Sequence, residues 1–291
     1  MTIFNLGSVN ADVFYRLPHL VAPGETLAAS SVYEGLGGKG ANMSVAVARA
    51  GAKVHHIGAV GPDGRWAVDR LSGYGVDTAH LVQVDEKTGH AIIMVDDAGE
   101  NAILLYPGAN QAIPAETVSN ALAGAGAGDL ALMQNETCHQ VAFAQAAKRA
   151  GLRVAYAAAP FEAAAVQAVL GDLDILVLNQ VEADQLKKAT GLGPDRLSVK
   201  DVVVTLGAVG CDWYDNARGQ RDHFDAPKVT PVDTTGAGDT FTGYLLAGLD
   251  QGTDMASAIA QAQKAGAIMV TRQGTADVIP TLADVQAWSG T

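Results

Sequence analysis

The chain has 291 residues, 48% of them apolar and 17% charged, enough for one large α/β domain or two small ones with a substantial buried core. A formal charge of −12 argues against a nucleic-acid binder, which would carry a basic patch or stripe, but leaves room for a phosphate-bearing ligand held by backbone amides. Two distant cysteines, Cys138 and Cys211, form neither a zinc pattern nor a disulfide scaffold, and the interrupted apolar runs are too short to span a membrane. With no signal-peptide pattern at the start, a cytoplasmic location is expected.

In chain order, residues 3–10 read as a short buried strand, and an irregular stretch follows to about residue 34, marked by Pro18, Pro23 and Gly24. Helical spacing runs from Ala41 to Ala50 and stops at Gly51, a residue type favoured just past a helix end. Residues 53–61 are strand-like, and the next segment turns into a helix. Residues 90–108 form two strand-like runs around an Asp-Asp-Ala-Gly-Glu turn, a hairpin that could join the 11–34 segment in a small separate sheet. Strands then alternate with helices: 129–134, helix 138–150, 152–157, helix 161–170, 174–179, helix 181–190 and 201–207. Short strands around Trp213 and Phe224 precede two final helices at 237–249 and 254–271. This alternation predicts a doubly wound, mostly parallel sheet with helices on both faces.

Two glycine-rich loops carry the chemistry. Gly35, Gly37 and Gly40 satisfy the GxGxxG spacing of a dinucleotide loop, and Asp63 lies about where a ribose-binding acid would stand. That loop should follow directly on a strand, whereas here the irregular stretch intervenes. Near the C-terminus, "DTTGAGDTF" (233–241) delivers Gly236, Ala237 and Gly238 into an apolar helix. Backbone amides at such a turn make an anion hole for a transferring phosphoryl group. Asp239 in the first helical turn reads either as a favourable charge on the helix dipole or as a base for a substrate hydroxyl. No GxxxxGK[ST] loop is present.

Ten segments in order, from "GSVNAD" (7–12), "PGET" (23–26) and "GGKGAN" (37–42) through "NQVEAD" (179–184) and "TLGAVG" (205–210) to "DTTGAGDTF" and "VTRQG" (270–274), resemble the ribokinase family of PfkB carbohydrate kinases. The resemblance spans nearly the whole chain and makes the GxGxxG match accidental. It implies a ribokinase-like α/β sandwich, one domain over 1–291, with a small β lid from about 11–36 and 88–107. It implies phosphoryl transfer from ATP with Mg²⁺ to a sugar, with Asp239 as base, the Gly236–Gly238 amides as anion hole, and D-ribose O5 as acceptor. Other family substrates are fructose, 2-keto-3-deoxygluconate or a nucleoside.

Carried over residue by residue, the resemblance assigns the sugar to Asn10, Asp12, Gly38, Lys39, Asn42, Glu136 and Asp239. Amide and carboxylate side chains suit vicinal hydroxyls. Asn10 equally reads as a turn cap, Lys39 as a solvated charge and Glu136 as a helix cap, while Asp12 stands at the end of a buried strand. The nucleotide falls to Asn179, Thr205, Gly207, Gly210, Gly238 and Gln263, and Mg²⁺, through water, to Glu182, which otherwise is an acid in a first helical turn. A monovalent cation such as K⁺ falls to Asp233 and Thr235 with the carbonyls of Met269, Arg272 and Gly274, and Val278 stands where a serine ligand is usual. Small-molecule partners and a homodimer through the lid are expected. A silent sugar-binding regulator would have lost Asp239 or its glycine loop, and an NAD-dependent oxidoreductase lacks the required strand.

Overall fold

The computed structural model describes residues 1–290. In chain order the strands are β1 (Thr2–Leu6), β2 (Asn10–Arg16), β3 (Ser31–Gly37), β4 (Lys53–Val60), β5 (Asp77–Gln83), β6 (Gly89–Val95), β7 (Asn101–Tyr106), β8 (Leu130–Gln134), β9 (Arg153–Ala157), β10 (Ile175–Asn179), β11 (Asp201–Thr205), β12 (Gly210–Asp215) and β13 (Gln220–Asp225). The helices are α1 (Lys39–Arg49), α2 (Arg65–Gly73), α3 (Ala115–Leu122), α4 (Gln140–Arg149), α5 (Ala163–Val169), α6 (Gln180–Thr190), α7 (Ala237–Asp250), α8 (Met255–Val270) and α9 (Leu282–Ala287).

Nine strands form one sheet in the order β13-β12-β11-β10-β9-β8-β1-β4-β5, with every pair parallel except β11–β12 and β12–β13. Its central strands bury both faces, which is why they read as unbroken apolar runs. Leu130 and Leu132 of β8 face a core shared with α1, α2, α7 and α8, while Ala131 and Met133 face a second core built with α3 to α6. The chain leaves β1 for β4 and β5 on one side, then returns to β8 on the other. The reversal opens a crevice at the carboxyl ends of β1 and β8, the usual ligand position in such sheets.

The four remaining strands make a separate sheet, β3-β2-β6-β7, with β2 and β6 parallel and the outer pairs antiparallel. The 3–10 stretch is therefore two strands. β1 stops at Leu6, because Gly7 packs against Gly40 so closely that a Cβ on either glycine would overlap the other's backbone. Val9 N–H then donates to the Asn110 side chain rather than to a strand, and β2 begins in the second sheet. Asp12 consequently lies inside β2, not at the end of β1. The segment to residue 34 is only partly irregular, since β2 and β3 occupy its ends, and β5 and α3 are further elements that the sequence pattern did not mark. No helix among the described residues is long and apolar enough to cross a membrane.

Candidate active site

Most candidate segments lie at the carboxyl end of a parallel strand or at a helix start, while Asp12 lies in β2 and Gln263 within α8. Ser8 follows β1, Glu136 follows β8, Asn179 ends β10 and Thr205 ends β11. Helix α1 starts from Gly38, whose φ of 90° belongs to the left-handed region, and α7 starts from Gly236, with φ 74°. Both turns aim a helix N-terminus into the crevice; at α1 the first amides are already taken by Glu136 and Ser8. The two helices touch along Gly243, where a Cβ would come within 2.7 Å of the Met43 carbonyl. That close approach brings Asn42 to Asp239, and Asn42 Nδ2 donates to Asp239 Oδ2 at 2.9 Å.

Asp12, Lys39, Asn42, Glu136 and Asp239 meet around one small volume. Lys39 is the ammonium among four carboxylates: Asp239 foremost, then Glu136, Glu182 and Asp12 hold its pKa above the ordinary lysine value, against burial. Lys39 is thus not a solvated surface charge. Burial first, then the Glu136 and Asp239 charges, push the Asp12 carboxyl up to about 7 against the pull of Lys39. Burial likewise raises Glu136 above the usual carboxylate range, opposed by Lys39 and by the bonds Glu136 accepts. Glu136 does not cap the following helix, whose N-cap is His139. Its Oε2 accepts from Ser8 Oγ and from the Lys39 amide at 3.0 Å.

Two residues of this site stand outside the sequence assignment. Ser8 passes a bond from the Gly40 amide (3.2 Å) to Glu136. Asn110 donates to Asn10 Oδ1 at 2.8 Å and accepts from Val9 N–H at 2.9 Å, so Asn10 is anchored rather than capping a turn. Ser8 lies within "GSVNAD" and Asn110 closes a further short segment, "GAN" (108–110), and a polar side chain amid buried glycines is the signal both offer.

A cleft of about 400 Å³ adjoins Gly238, and Thr205, Gly207, Gly210 and Gln263 line it together with Phe241. Gly210 needs its φ of 123°, and a Cβ there would overlap the Phe224 carbonyl. Gln263 Nε2 donates to Phe224 O at 2.8 Å, fastening α8 to the β12–β13 hairpin. Asn179 and Glu182 cap α6 reciprocally: Asn179 Oδ1 accepts from the Glu182 amide (2.9 Å), and Glu182 Oε2 accepts from the Asn179 amide (2.7 Å). One Glu182 oxygen remains free of that cap. At α7, the Ala237 amide is directed to Thr234 O at 3.3 Å, leaving Gly236 and Gly238 among the amides open to an anion.

Asp233 closes the adjoining loops. Its Oδ1 accepts from the Thr235 amide at 2.9 Å and its Oδ2 from the Gly274 amide at 3.2 Å. The Met269 carbonyl already accepts from the Arg272 amide at 3.0 Å. Val278 turns its methyl groups toward Gly274, about 3.5 Å from where a Cβ would stand. Asp63 accepts from Thr88 through N and Oγ1, which makes it a turn anchor.

An aspartate beside open helix amides, a polar crevice and an adjoining apolar cleft define an ATP-dependent carbohydrate kinase. The pfkB family carbohydrate kinase model matches residues 2–282, and the chain belongs to that family. It is 36% identical to the ribokinase of Haemophilus influenzae, over 96% of this chain and 95% of that one. Among solved structures it resembles Cryptococcus neoformans ribokinase in complex with ADP, with a TM-score of 0.86 and 34% identity over 98% of both chains. It also resembles Arabidopsis thaliana ribokinase complexed with ribose and ATP, with a TM-score of 0.84 and 28% identity over 98% of this chain and 97% of that one.

Proposed function

We propose that the protein transfers the γ-phosphoryl group of ATP to O5 of D-ribose. The observation that carries this reading is the Asn42–Asp239 bond, which sets a carboxylate between the polar crevice and the open amides of α7. Asn10, Asp12, Lys39, Asn42 and Glu136 would hold the sugar hydroxyls, and Asp239 would take the proton of the attacking one. The oxygen then bonds to phosphorus as the bond to ADP breaks, and the Gly236 and Gly238 amides stabilise the equatorial oxygens. Lys39 offsets part of the carboxylate charge and orients the acceptor.

The 400 Å³ cleft would take the adenosine against Gly207, Gly210 and Gln263, with Asn179 and Thr205 toward the phosphates. The free oxygen of Glu182 fits an Mg²⁺ ion held through water, and among the described residues no cluster of His, Cys, Asp and Glu offers a direct cage. When bound, that ion supplies positive charge to the phosphates. Asp233, Thr235, and the Met269, Arg272 and Gly274 carbonyls would hold a monovalent cation beside α7, weakly, because Val278 presents methyls where an oxygen ligand would stand.

Residues 11–36 and 88–107 would act as a lid that closes over the sugar and excludes water. Their sheet turns Asp12 inward, and its register turns Val13, Val32, Ile92 and Leu104 outward, with Val32 and Leu104 61% and 62% exposed. A second copy covering that face would make a homodimer, and a concentration-independent monomer in sedimentation would exclude it. ATP as donor and two unpaired thiols fit the cytoplasm.

The experiment is ADP release from Mg·ATP with D-ribose, beside fructose, 2-keto-3-deoxygluconate and adenosine, with Asp239→Asn as control. Ribose-dependent turnover lost in the variant is the expected result. Turnover with another acceptor keeps the mechanism and moves the substrate. Sugar binding by calorimetry without any turnover would make the protein a silent binder.

A further inference from the structure

Beneath the crevice lies a buried polar network that the proposed chemistry does not use. Asn5, Ser44, His56 and Gln134 are all 0% exposed and come from β1, α1, β4 and β8. Burying four polar side chains costs stability unless each is hydrogen-bonded, so their geometry carries information.

The direction of every bond can be assigned. His56 Nε2 lies 3.1 Å from the Gly7 carbonyl, which only accepts, so Nε2 carries the hydrogen. In the neutral ring Nδ1 is then bare and accepts from Ser44 Oγ at 2.9 Å. Ser44 Oγ in turn accepts from Asn5 Nδ2 at 2.8 Å. The other Asn5 N–H donates to the Gly40 carbonyl at 2.9 Å, and Asn5 Oδ1 accepts from Gln134 Nε2 at 2.8 Å. The chain of bonds therefore runs one way, from Gln134 through Asn5, Ser44 and His56 to Gly7. Around the ring β1 presents Asn5, α1 presents Ser44 and β8 presents Gln134, all neutral. With no charged partner, burial alone lowers His56 to about 4.

The network is anchored at the two glycines that join the crevice segments. Gly7 precedes Ser8, Asn10 and Asp12, and Gly40 sits between Lys39 and Asn42. The Gly40 amide is held by Ser8 Oγ, whose own hydrogen goes to Glu136. Both polar atoms of the Gly40 peptide are thus bound by side chains. We propose that His56, as a neutral Nε2–H imidazole, is a positioning residue that fixes the spacing between the Asn10–Asp12 segment and the Lys39–Asn42 segment. This rests on reading those segments as the sugar site. A displacement of about 1 Å in such a site costs roughly 10²-fold in rate, so a bond that fixes the spacing acts on sugar use rather than on nucleotide use.

Nitrogen-15 NMR of histidine-labelled full-length protein tests the ring directly. The expected result is one His56 signal pair with a protonated Nε2 and a bare Nδ1, unchanged from pH 8 down to about pH 5. An Nδ1–H tautomer, or an imidazolium above pH 5, overturns the proposal. Kinetics supply the second readout. His56→Phe should raise the sugar KM about tenfold with the ATP KM within about twofold, and His56→Gln, which keeps an N–H donor, should recover most of the loss. A lowered melting temperature with an unchanged sugar KM would make His56 purely structural and overturn the proposal. The spectrum needs no substrate. A wild-type protein with the stated tautomer and no sugar turnover or binding would therefore locate the failure in the sugar reading, and the positioning claim would fall with it.

Discussion

Asn42 Nδ2 lies 2.9 Å from Asp239 Oδ2, joining residues 197 positions apart through the contact of α1 with α7. The amide holds one carboxylate oxygen, and the proposed reaction would use the other to take a hydroxyl proton. Asp239→Asn should lower kcat by roughly 10²–10⁴-fold, the range for loss of a general base. Asn42→Ala should lower it about tenfold, because the carboxylate loses its orientation. Since the second loss acts through the first residue, Asn42→Ala should cost little further turnover in the Asp239→Asn background. A double-mutant cycle measures this, and additive losses would separate the two roles.

Asp12 should impose a pH dependence on sugar use. Its carboxyl titrates near 7 in the unliganded protein. Below that pH it keeps a proton, and above it, on the proposed reading, both oxygens would accept from sugar hydroxyls. kcat/KM for the sugar should therefore rise with pH, with an inflection near 7, and Asp12→Asn should flatten the profile at a lower level. Linkage gives stability the opposite sense. A folded pKa raised above the unfolded 3.8 means the native state binds more protons between the two values, so this group's contribution falls as pH rises from about 4 to 7. Thermal melts of the unliganded protein across that window, set beside Asp12→Asn, measure that loss.

Residues close in sequence to glycine turns were legible, and residues that act through distant partners were not. Gly236, Gly238 and Asp239 could be read because a helix start, its open amides and its first-turn acid are one local pattern. The doubly wound sheet was legible in the alternating apolar runs. The break at Gly7 was not, because it follows from Gly40 lying against it across 33 positions of chain. Ser8 reaches Glu136 over 128 positions and Asn110 reaches Val9 over 101, contacts that only the crevice between β1 and β8 creates. Glu182 shows the converse: its first-turn position is visible in the sequence, but its reciprocal cap with Asn179 depends on side-chain geometry that only the fold sets.

Gly37 is the glycine on which the Asp12 position depends. A Cβ there would overlap the Asp12 carboxylate, so Gly37→Ala must displace that side chain or part β2 from β3. The sugar kcat/KM should fall roughly 10²-fold, in line with a displacement of about 1 Å. The ATP KM should stay near the parent value, because the apolar cleft lies at α7 and α8 instead. Steady-state kinetics with each substrate varied in turn distinguishes this from a general loss of folded protein.

Val278 bears on the monovalent cation. Its methyls occupy the side of Gly274 from which an oxygen would complete the ring begun by Asp233 and Thr235. A cation beside the N-terminus of α7 adds positive charge to the anion hole, so its occupancy should appear in kcat. The parent protein should show only shallow activation when K⁺ replaces tetramethylammonium at constant ionic strength. Val278→Ser, which supplies a hydroxyl at that position, should lower the half-activating K⁺ concentration about tenfold, equivalent to about 1.4 kcal/mol of added cation binding. Losing methyls from a half-buried site should cost no more than about 1.5 kcal/mol of stability, small enough to leave the fold intact. An unchanged K⁺ response in a folded Val278→Ser protein would remove the Asp233 loop from consideration as a cation site. A steep K⁺ response already present in the parent would show that the backbone carbonyls and Asp233 suffice without a side-chain oxygen at this position.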